Sequence, residues 1–182
     1  MRRRFARFSV LALLTVPLAA MGLAVPAGAS AATTCSGNKG SIKLSPGLGE
    51  SAQVQNITIK GSLSGCTGST VAAASYGAHL KTTDPVSCAA LASAGEAASG
   101  SIVIKWSPKG QGNSNGTFSV PLTAVPGVSI SGTLSSEPFA SSTISGTVSQ
   151  SFAGTCGSGG KGKKKGKKVK DGTFTGSAVE IA

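Results

Sequence analysis

The sequence predicts an all-β fold, and we expect an antiparallel β-sandwich of immunoglobulin-like or jelly-roll-like topology with one short helix and two disulfides. Apolar and polar residues alternate with a period of two along most of the chain beyond residue 31, as in half-buried strands. Clusters of Gly, Pro, Asn and Ser separate these runs as turns do. The polar face of each run is mostly Ser and Thr, and several short strands of this kind are typical of a sandwich or a barrel.

The clearest alternation marks six strands. In each of them apolar residues or glycine occupy every second position, and Ser, Thr or Lys fill most of the positions between. The last strand has a phase slip near Ala178 and Val179 that indicates a β-bulge. The six strands span residues 57–64, 102–107, 117–122, 128–134, 144–152 and 174–181, and shorter candidates lie at 42–44 and 71–80.

Turn residues and one helix signal separate the strands. A short helix is predicted after Asp84, with Pro85 in its first position, residues 88–92 in its body and Gly95 at its end. We expect this helix to brace one end of the sandwich through Cys88. The turn between 117–122 and 128–134 predicts an antiparallel hairpin. The turn signals are Ser45-Pro46-Gly47, Gly110-Gln111-Gly112-Asn113, Pro126-Gly127 and Glu137-Pro138.

Residues 1–31 are predicted to form a cleaved signal peptide. Four arginines lie within the first seven residues, an apolar stretch follows to about residue 25, and Ala29-Ser30-Ala31 fits a cleavage site. The arginines loosely fit a twin-arginine signal, but the general secretory route is favoured. Residues 32–182 then form a single secreted, extracellular domain, which we expect to be a monomer without a transmembrane segment after cleavage.

Four cysteines lie beyond the predicted signal peptide, and export favours disulfides. Metal binding is disfavoured because no two cysteines are close in sequence and the chain has one histidine, so no metal site is predicted. Three connectivities are open. We favour Cys35–Cys66 and Cys88–Cys156, because a turn at Ser45-Pro46-Gly47 would fold the first two strands back and bring the first pair together.

The positive charge is concentrated in one segment. The chain carries a formal net charge of +11, but its four arginines all lie in the predicted signal peptide. Glycine and like-charge repulsion predict a flexible loop at 157–172, which would attract anionic cell-wall polymers or other polyanions. Sequence-specific nucleic-acid binding is not expected, because arginine and stacking aromatics are missing from this loop. The alternative is a solvated loop that only adds solubility. The predicted polyanion-binding residues are Lys161, Lys163, Lys164, Lys165, Lys167, Lys168 and Lys170.

The sequence predicts no enzyme, no catalytic residue and no cofactor. His79 and Asp84 are a conceivable base and orienting acid for a weak hydrolase, but no nucleophile elbow accompanies them. The glutamates are scattered singly among Gly, Pro and Ser, which does not favour a paired-carboxylate site.

Few aromatic side chains are available to bind sugars. Trp106, Phe118, Phe152 and Phe174 fall in strand runs and are predicted to lie in the core, whereas Phe139, which follows a turn, is the best candidate for an exposed ring. The alternative function is therefore a protein-binding module, such as an inhibitor or adhesion domain, that uses strand edges or the turns near Phe139.

The pattern of Cys, Gly and Trp positions resembles a group of small, uncharacterised, exported actinobacterial β-sandwich proteins with four cysteines. The resemblance implies secretion and a β fold, and it implies no activity. Our leading hypothesis is a non-enzymatic extracellular or cell-envelope binding protein. The matching segments are Thr34-Cys35-Ser36-Gly37, Leu44-Ser45-Pro46-Gly47-Leu48, Gly61-Ser62-Leu63-Ser64-Gly65-Cys66-Thr67-Gly68, Ser87-Cys88, Ile102-Val103-Ile104-Lys105-Trp106 and Thr155-Cys156-Gly157.

Overall fold

Eight antiparallel strands follow one another along the chain and close into a barrel. The structure is a computed structural model that describes residues 32–93, 96–154 and 168–182. Each strand pairs with the next, and the eighth returns to pair with the first. The strands are β1 (Thr33–Leu48), β2 (Asn56–Thr67), β3 (Ala73–Thr82), β4 (Glu96–Ser107), β5 (Asn113–Leu122), β6 (Val128–Leu134), β7 (Thr143–Ala153) and β8 (Val169–Ile181).

The predicted β-sandwich is wrong, because the strands form one closed sheet. A sandwich has two sheets with free edges, whereas β1 pairs with β2 on one side and with β8 on the other. Gly40, for example, is opposite Gly61 on β2 and opposite Phe174 on β8. Both architectures bury one face of every strand, so the same alternating pattern is compatible with either.

Glycines at inward positions help the strands to close. An eight-stranded barrel has an interior just wide enough to be filled by side chains, and glycine permits strong bends where strands turn a corner. A Cβ at Gly40 would lie 2.5 Å from Cζ of Phe174, and one at Gly132 would lie 2.9 Å from Cγ2 of Ile144. Each of these glycines therefore leaves room for a large side chain of the neighbouring strand.

Both ends of the barrel are covered. At one end the β3–β4 connection contributes the buried residue Val86 and a 3-10 helix (Cys88–Ala92) whose Leu91 is buried and accepts a hydrogen bond from Ala124 N. At the other end Trp106 packs edge-on against Phe139, with ring centroids 4.8 Å apart. The apolar core thus continues from the barrel interior to its two ends.

Several predicted elements are confirmed and others need correction. The hairpin is confirmed, since Phe118 is opposite Gly132. The bulge is confirmed, since Thr147 alone faces the two residues between Gly176 and Val179. The Ser45-Pro46-Gly47 turn is wrong, because this segment lies inside β1, which extends to Leu48.

The predicted short helix is present, but it begins later than predicted. Residues Cys88–Ala92 form a 3-10 helix rather than an α-helix, and it begins after Ser87 instead of after Asp84. Pro85 lies just before Val86, which forms a β-bridge with Gln53. The end predicted at Gly95 lies outside the described residues.

The described residues contain one complete disulfide instead of the two predicted. Cys35–Cys66 is confirmed, and the two cysteines are direct cross-strand partners on β1 and β2. Cys88 is not a free thiol, but its predicted partner, Cys156, lies outside the described residues. In the described ranges, no helix is long and apolar enough to cross a membrane.

Candidate functional site: a lysine-bearing wall of the barrel

Charged side chains are distributed unevenly around the outside of the barrel. Strands β5, β6 and β7 contain no charged residue, and their outer positions are mostly Ser and Thr. Lysines lie instead on β1, β2, β3, β4 and β8. Two of these strands, β1 and β2, place Lys39, Lys43 and Lys60 on adjoining parts of the outer surface, which we call the lysine wall.

The strand register sets the spacing of the lysine wall. Lys39 is opposite Ser62 and Lys43 is opposite Thr58, so Lys60 lies diagonally between the two β1 lysines. Diagonal neighbours on one face have Cα atoms about 7–8 Å apart, and four residues of strand span about 13 Å. All three lysines are exposed. Three ammonium groups therefore share a small area of the outer surface.

A shallow depression lies on the wall where two glycines face each other. Gly40 and Gly61 are direct cross-strand partners at inward positions, and the outer surface over their backbone is shallow and widely open to solvent. The ring of Phe174 lies beneath this backbone and is only 5% exposed. The polar side chains around the depression are those of Lys39, Lys60, Ser41, Ser62, Thr173 and Thr175.

The lysine-rich segment, residues 161–170, rejoins the barrel beside β1. A Cβ at Gly47 would lie 2.8 Å from Cγ of Lys170 and 3.4 Å from Cβ of Lys168, and one at Gly49 would lie 3.8 Å from Cε of Lys168. The aliphatic stems of both lysines thus pack along the end of β1. Lys43 lies on the same strand, so the end of this segment and the lysine wall adjoin.

Most of the predicted polyanion-binding residues lie outside the described residues. This applies to Lys161, Lys163, Lys164, Lys165 and Lys167. Lys168 and Lys170 are both exposed. The loop predicted at 157–172 is too long at its far end, because β8 already begins at Val169.

Among the described residues directly opposite the lysines of the wall, the acidic side chain is that of Asp171. Asp171 on β8 is opposite Lys43. The cross-strand neighbours of Lys39 are Ser62 and Thr175, and none of the residues lining the depression is acidic. The positive potential of the wall is therefore least compensated around the depression.

The barrel interior is filled rather than hollow. Two cavities adjoin Tyr76 and Phe118, with volumes of about 20 and 10 Å³. Pockets for organic ligands usually have volumes of about 300–1,000 Å³. Neither of these two cavities is large enough for such a ligand.

Polar groups inside the barrel are mostly engaged with one another. Tyr76 donates a hydrogen bond from its hydroxyl to Oδ1 of Asn38 at 2.7 Å. Burial raises the pKa of Tyr76 well above its ordinary value, and the hydrogen bond with Asn38 offsets part of this effect. Gln150 Nε2 donates to the carbonyl of Pro121 at 2.6 Å, whereas its Oε1 finds no hydrogen-bond partner in the described ranges.

The structure places the weaker functional candidates named from the sequence, His79, Asp84 and Phe139, as follows. His79 lies on the outer surface of β3 between Thr58 and Ser101, and Asp84 is exposed in the following connection. Phe139 was expected to be exposed, but it is half-buried against Trp106. Of the four strand aromatics predicted for the core, Trp106, Phe118 and Phe174 are buried as expected, and Phe152 is half-buried.

The alternative function, a protein-binding module, was expected to use strand edges or the turns near Phe139, and the structure bears on the strand edges. Each of the eight described strands pairs on both sides, so none offers a free edge for strand addition. Among the residues that the structure describes, no three His, Cys, Asp or Glu side chains cluster as a metal site would require.

Comparison with models of protein families, with curated proteins and with solved structures finds no match to this chain. The resemblance to small exported actinobacterial proteins therefore stays a prediction.

Sequence reasoning did not single out Lys39, Lys43 and Lys60 as a group. Each is flanked by uncharged residues in the sequence, and the connection between β1 and β2 separates Lys43 from Lys60. The alternation of the sequence indicates that these lysines point outward. It does not indicate the strand register that makes Lys60 a diagonal neighbour of both β1 lysines.

Proposed function

We propose that the protein is a secreted, non-enzymatic binding protein of the extracellular space or cell envelope that holds polyanions through its lysines. The observation that carries the proposal is the packing of Lys168 and Lys170 along the end of β1. This packing places Lys168 and Lys170 beside the strand that carries Lys39 and Lys43, on a barrel whose strands β5, β6 and β7 contain no charged residue. A polyanion that contacts several ammonium groups releases counterions, and its affinity falls steeply with salt.

The proposal is tested by retention on an immobilised polyanion. Residues 32–182 are loaded on heparin and on polyglycerol phosphate, and the salt concentration at elution is compared with that of a variant whose segment 161–167 is replaced by Gly and Ser. We expect the variant to elute at much lower salt, with a shallower dependence of affinity on salt.

A second variant measures the effect of lost positive charge elsewhere on the barrel. The double variant Lys105→Gln/Lys109→Gln removes lysines from β4 and from the turn that follows it, at the far end of the barrel. We expect it to elute close to the unaltered protein. Unchanged retention after replacement of the 161–167 segment would contradict the proposed function.

A further inference from the structure

We propose that the depression over Gly40 and Gly61 is a subsite for one charged, hydroxyl-bearing unit of the polyanion, so that the partner is an anionic glycan or polyol phosphate. The inference rests on the proposed function and deepens it. The juxtaposition that carries it is a pair of lysines beside four hydroxyls, arranged around the exposed backbone of Gly40 and Gly61.

The two lysines supply charge recognition. Lys39 and Lys60 are diagonal neighbours, and the residues directly opposite them on the adjoining strands are Ser62, Thr175, Ser41 and Gly77. None of these cross-strand neighbours is acidic. A phosphate, sulfate or carboxylate placed between the lysines would meet two ammonium groups at once, as charge-assisted binding requires.

The four hydroxyls are available to a ligand. In the described ranges, the side chains of Ser41, Ser62, Thr173 and Thr175 form no hydrogen bond with other protein groups. Hydroxyls can donate and accept, so they complement the hydroxyls of a sugar or polyol.

A second depression on the outer wall gives a contrast. It lies over Gly132, and two of its hydroxyls, Thr117 Oγ1 and Thr133 Oγ1, are hydrogen-bonded to each other at 2.9 Å. Its lining contains no charged residue. Of the two depressions, only the one on the lysine wall therefore combines unengaged hydroxyls with positive charge.

The same surface is poorly suited to nucleic acid. Single-stranded nucleic acid is held by aromatic side chains on which bases stack, and sequence is read by groups such as arginine. The chain has no arginine beyond Arg7, and Phe174, the ring nearest the depression, is buried beneath its floor. Hydroxyl-bearing polyanions without bases match the wall better.

The experiment compares polyanions that differ in hydroxyl content. Binding of residues 32–182 to a heparin oligosaccharide, to polyglycerol phosphate, to inorganic polyphosphate and to single-stranded DNA is measured by calorimetry at one salt concentration. The test variant is Thr173→Val/Thr175→Val, which removes two hydroxyls and keeps both charge and side-chain shape. Its control is Thr117→Val/Thr133→Val in the second depression.

We expect the test variant to bind at least one of the two hydroxyl-bearing polyanions about threefold to tenfold more weakly, with its affinity for polyphosphate unchanged. Whether heparin or polyglycerol phosphate shows the loss identifies sulfated glycan or polyol phosphate as the better ligand. The control variant should match the unaltered protein. Urea unfolding of each variant checks its fold, and Ser41→Ala/Ser62→Ala replaces any test variant that is destabilised.

The outcomes separate the subsite from the proposed function. The subsite is overturned if the test variant loses equal affinity for polyphosphate and glycan, or if it loses no affinity for either glycan or polyol phosphate. It is also overturned if the unaltered protein binds DNA more tightly than both. The proposed function would stand in those cases if replacement of the 161–167 segment still weakened binding. If the unaltered protein binds none of the four probes, both inferences fail.

Discussion

The ring of Tyr76 lies directly beside the backbone of Gly61 inside the barrel. The two residues are cross-strand partners on β3 and β2, and a Cβ at position 61 would lie 2.6 Å from the Tyr76 hydroxyl oxygen. From this position Tyr76 reaches Asn38 Oδ1 and contacts Phe174, with ring centroids 6.4 Å apart. A missing side chain on one strand therefore determines where the only tyrosine of the chain can pack.

Gly61→Ala is expected to destabilise the barrel. The added methyl group would collide with the Tyr76 ring, and overpacking of this kind costs about 1–3 kcal/mol. The midpoint of urea unfolding, followed by the fluorescence of the single tryptophan, Trp106, measures the change.

Gly77→Ala is the matched control for that substitution. A Cβ at Gly77 would meet only the carbonyl oxygen of Ile59, at 3.9 Å, so an alanine fits there. We expect its unfolding free energy to equal or slightly exceed that of the unaltered protein. If both glycine variants lose the same stability, the contact between Gly61 and Tyr76 is not the cause.

The phenol of Tyr76 is expected to resist ionisation in the folded protein. Burial disfavours the phenolate and raises its pKa, despite the opposing hydrogen bond with Asn38. Because the chain has one tyrosine, phenolate absorbance reports this group alone. In urea the group should titrate near 10, whereas the folded protein should show almost no phenolate at that pH. A folded-state titration near 10 would contradict the buried placement.

Stability should therefore fall in alkali. The folded-state pKa of Tyr76 lies above the unfolded value, so its contribution is fully present below about pH 10 and is lost as pH rises beyond it. The unfolding free energy, measured by urea at several pH values from 8 to about 11, should decline in the upper part of this range. The variant Tyr76→Phe should show a weaker decline, since it lacks the titrating group.

Tyr76→Phe should also be less stable at neutral pH. Removing the hydroxyl leaves Oδ1 of Asn38, a residue only 4% exposed, without the 2.7 Å hydrogen bond that Tyr76 donates. Leaving a buried acceptor unpaired costs about 1–3 kcal/mol. Thr117→Val offers a control, because its hydroxyl pairs with Thr133 in an exposed position and should cost much less. Equal losses in the two variants would argue against the buried pair.

Removal of the Cys35–Cys66 disulfide should lower stability while leaving the fold intact. The bond joins residues 31 positions apart, and a cross-link of this kind contributes about 2–4 kcal/mol, largely by restricting the unfolded chain. The pairing of β1 with β2 continues from Gly37 to Ser45 without it. The double variant Cys35→Ala/Cys66→Ala should melt at lower temperature with an unchanged far-ultraviolet circular dichroism spectrum. Loss of that spectrum would show that the bond is required for folding.

The positions of most strands could be predicted, because burial of one face of a strand makes apolar and polar residues alternate with a period of two. The hairpin of β5 and β6 and the bulge near Ala178 both followed from that pattern and from local turn chemistry. The long first strand was not predictable in this way, because Ser45-Pro46-Gly47 is a turn signal by composition. Ser45 pairs with Asn56 on β2 and Leu48 pairs with Val169 on β8, so β1 continues across this segment with a register irregularity between Lys43 and Leu48.

The sequence by itself determined that the protein is an all-β chain with an apolar inner face and a hydroxyl-rich outer face, and it favoured a Cys35–Cys66 cross-link among three possible connectivities. Only the tertiary structure decided that the sheet closes, that Gly61 faces Tyr76, and that Lys60 lies between Lys39 and Lys43. The physical reason is that alternation is a property of one strand, whereas closure and register depend on which strands become neighbours. Such contacts join residues far apart in the chain, and no local pattern records them.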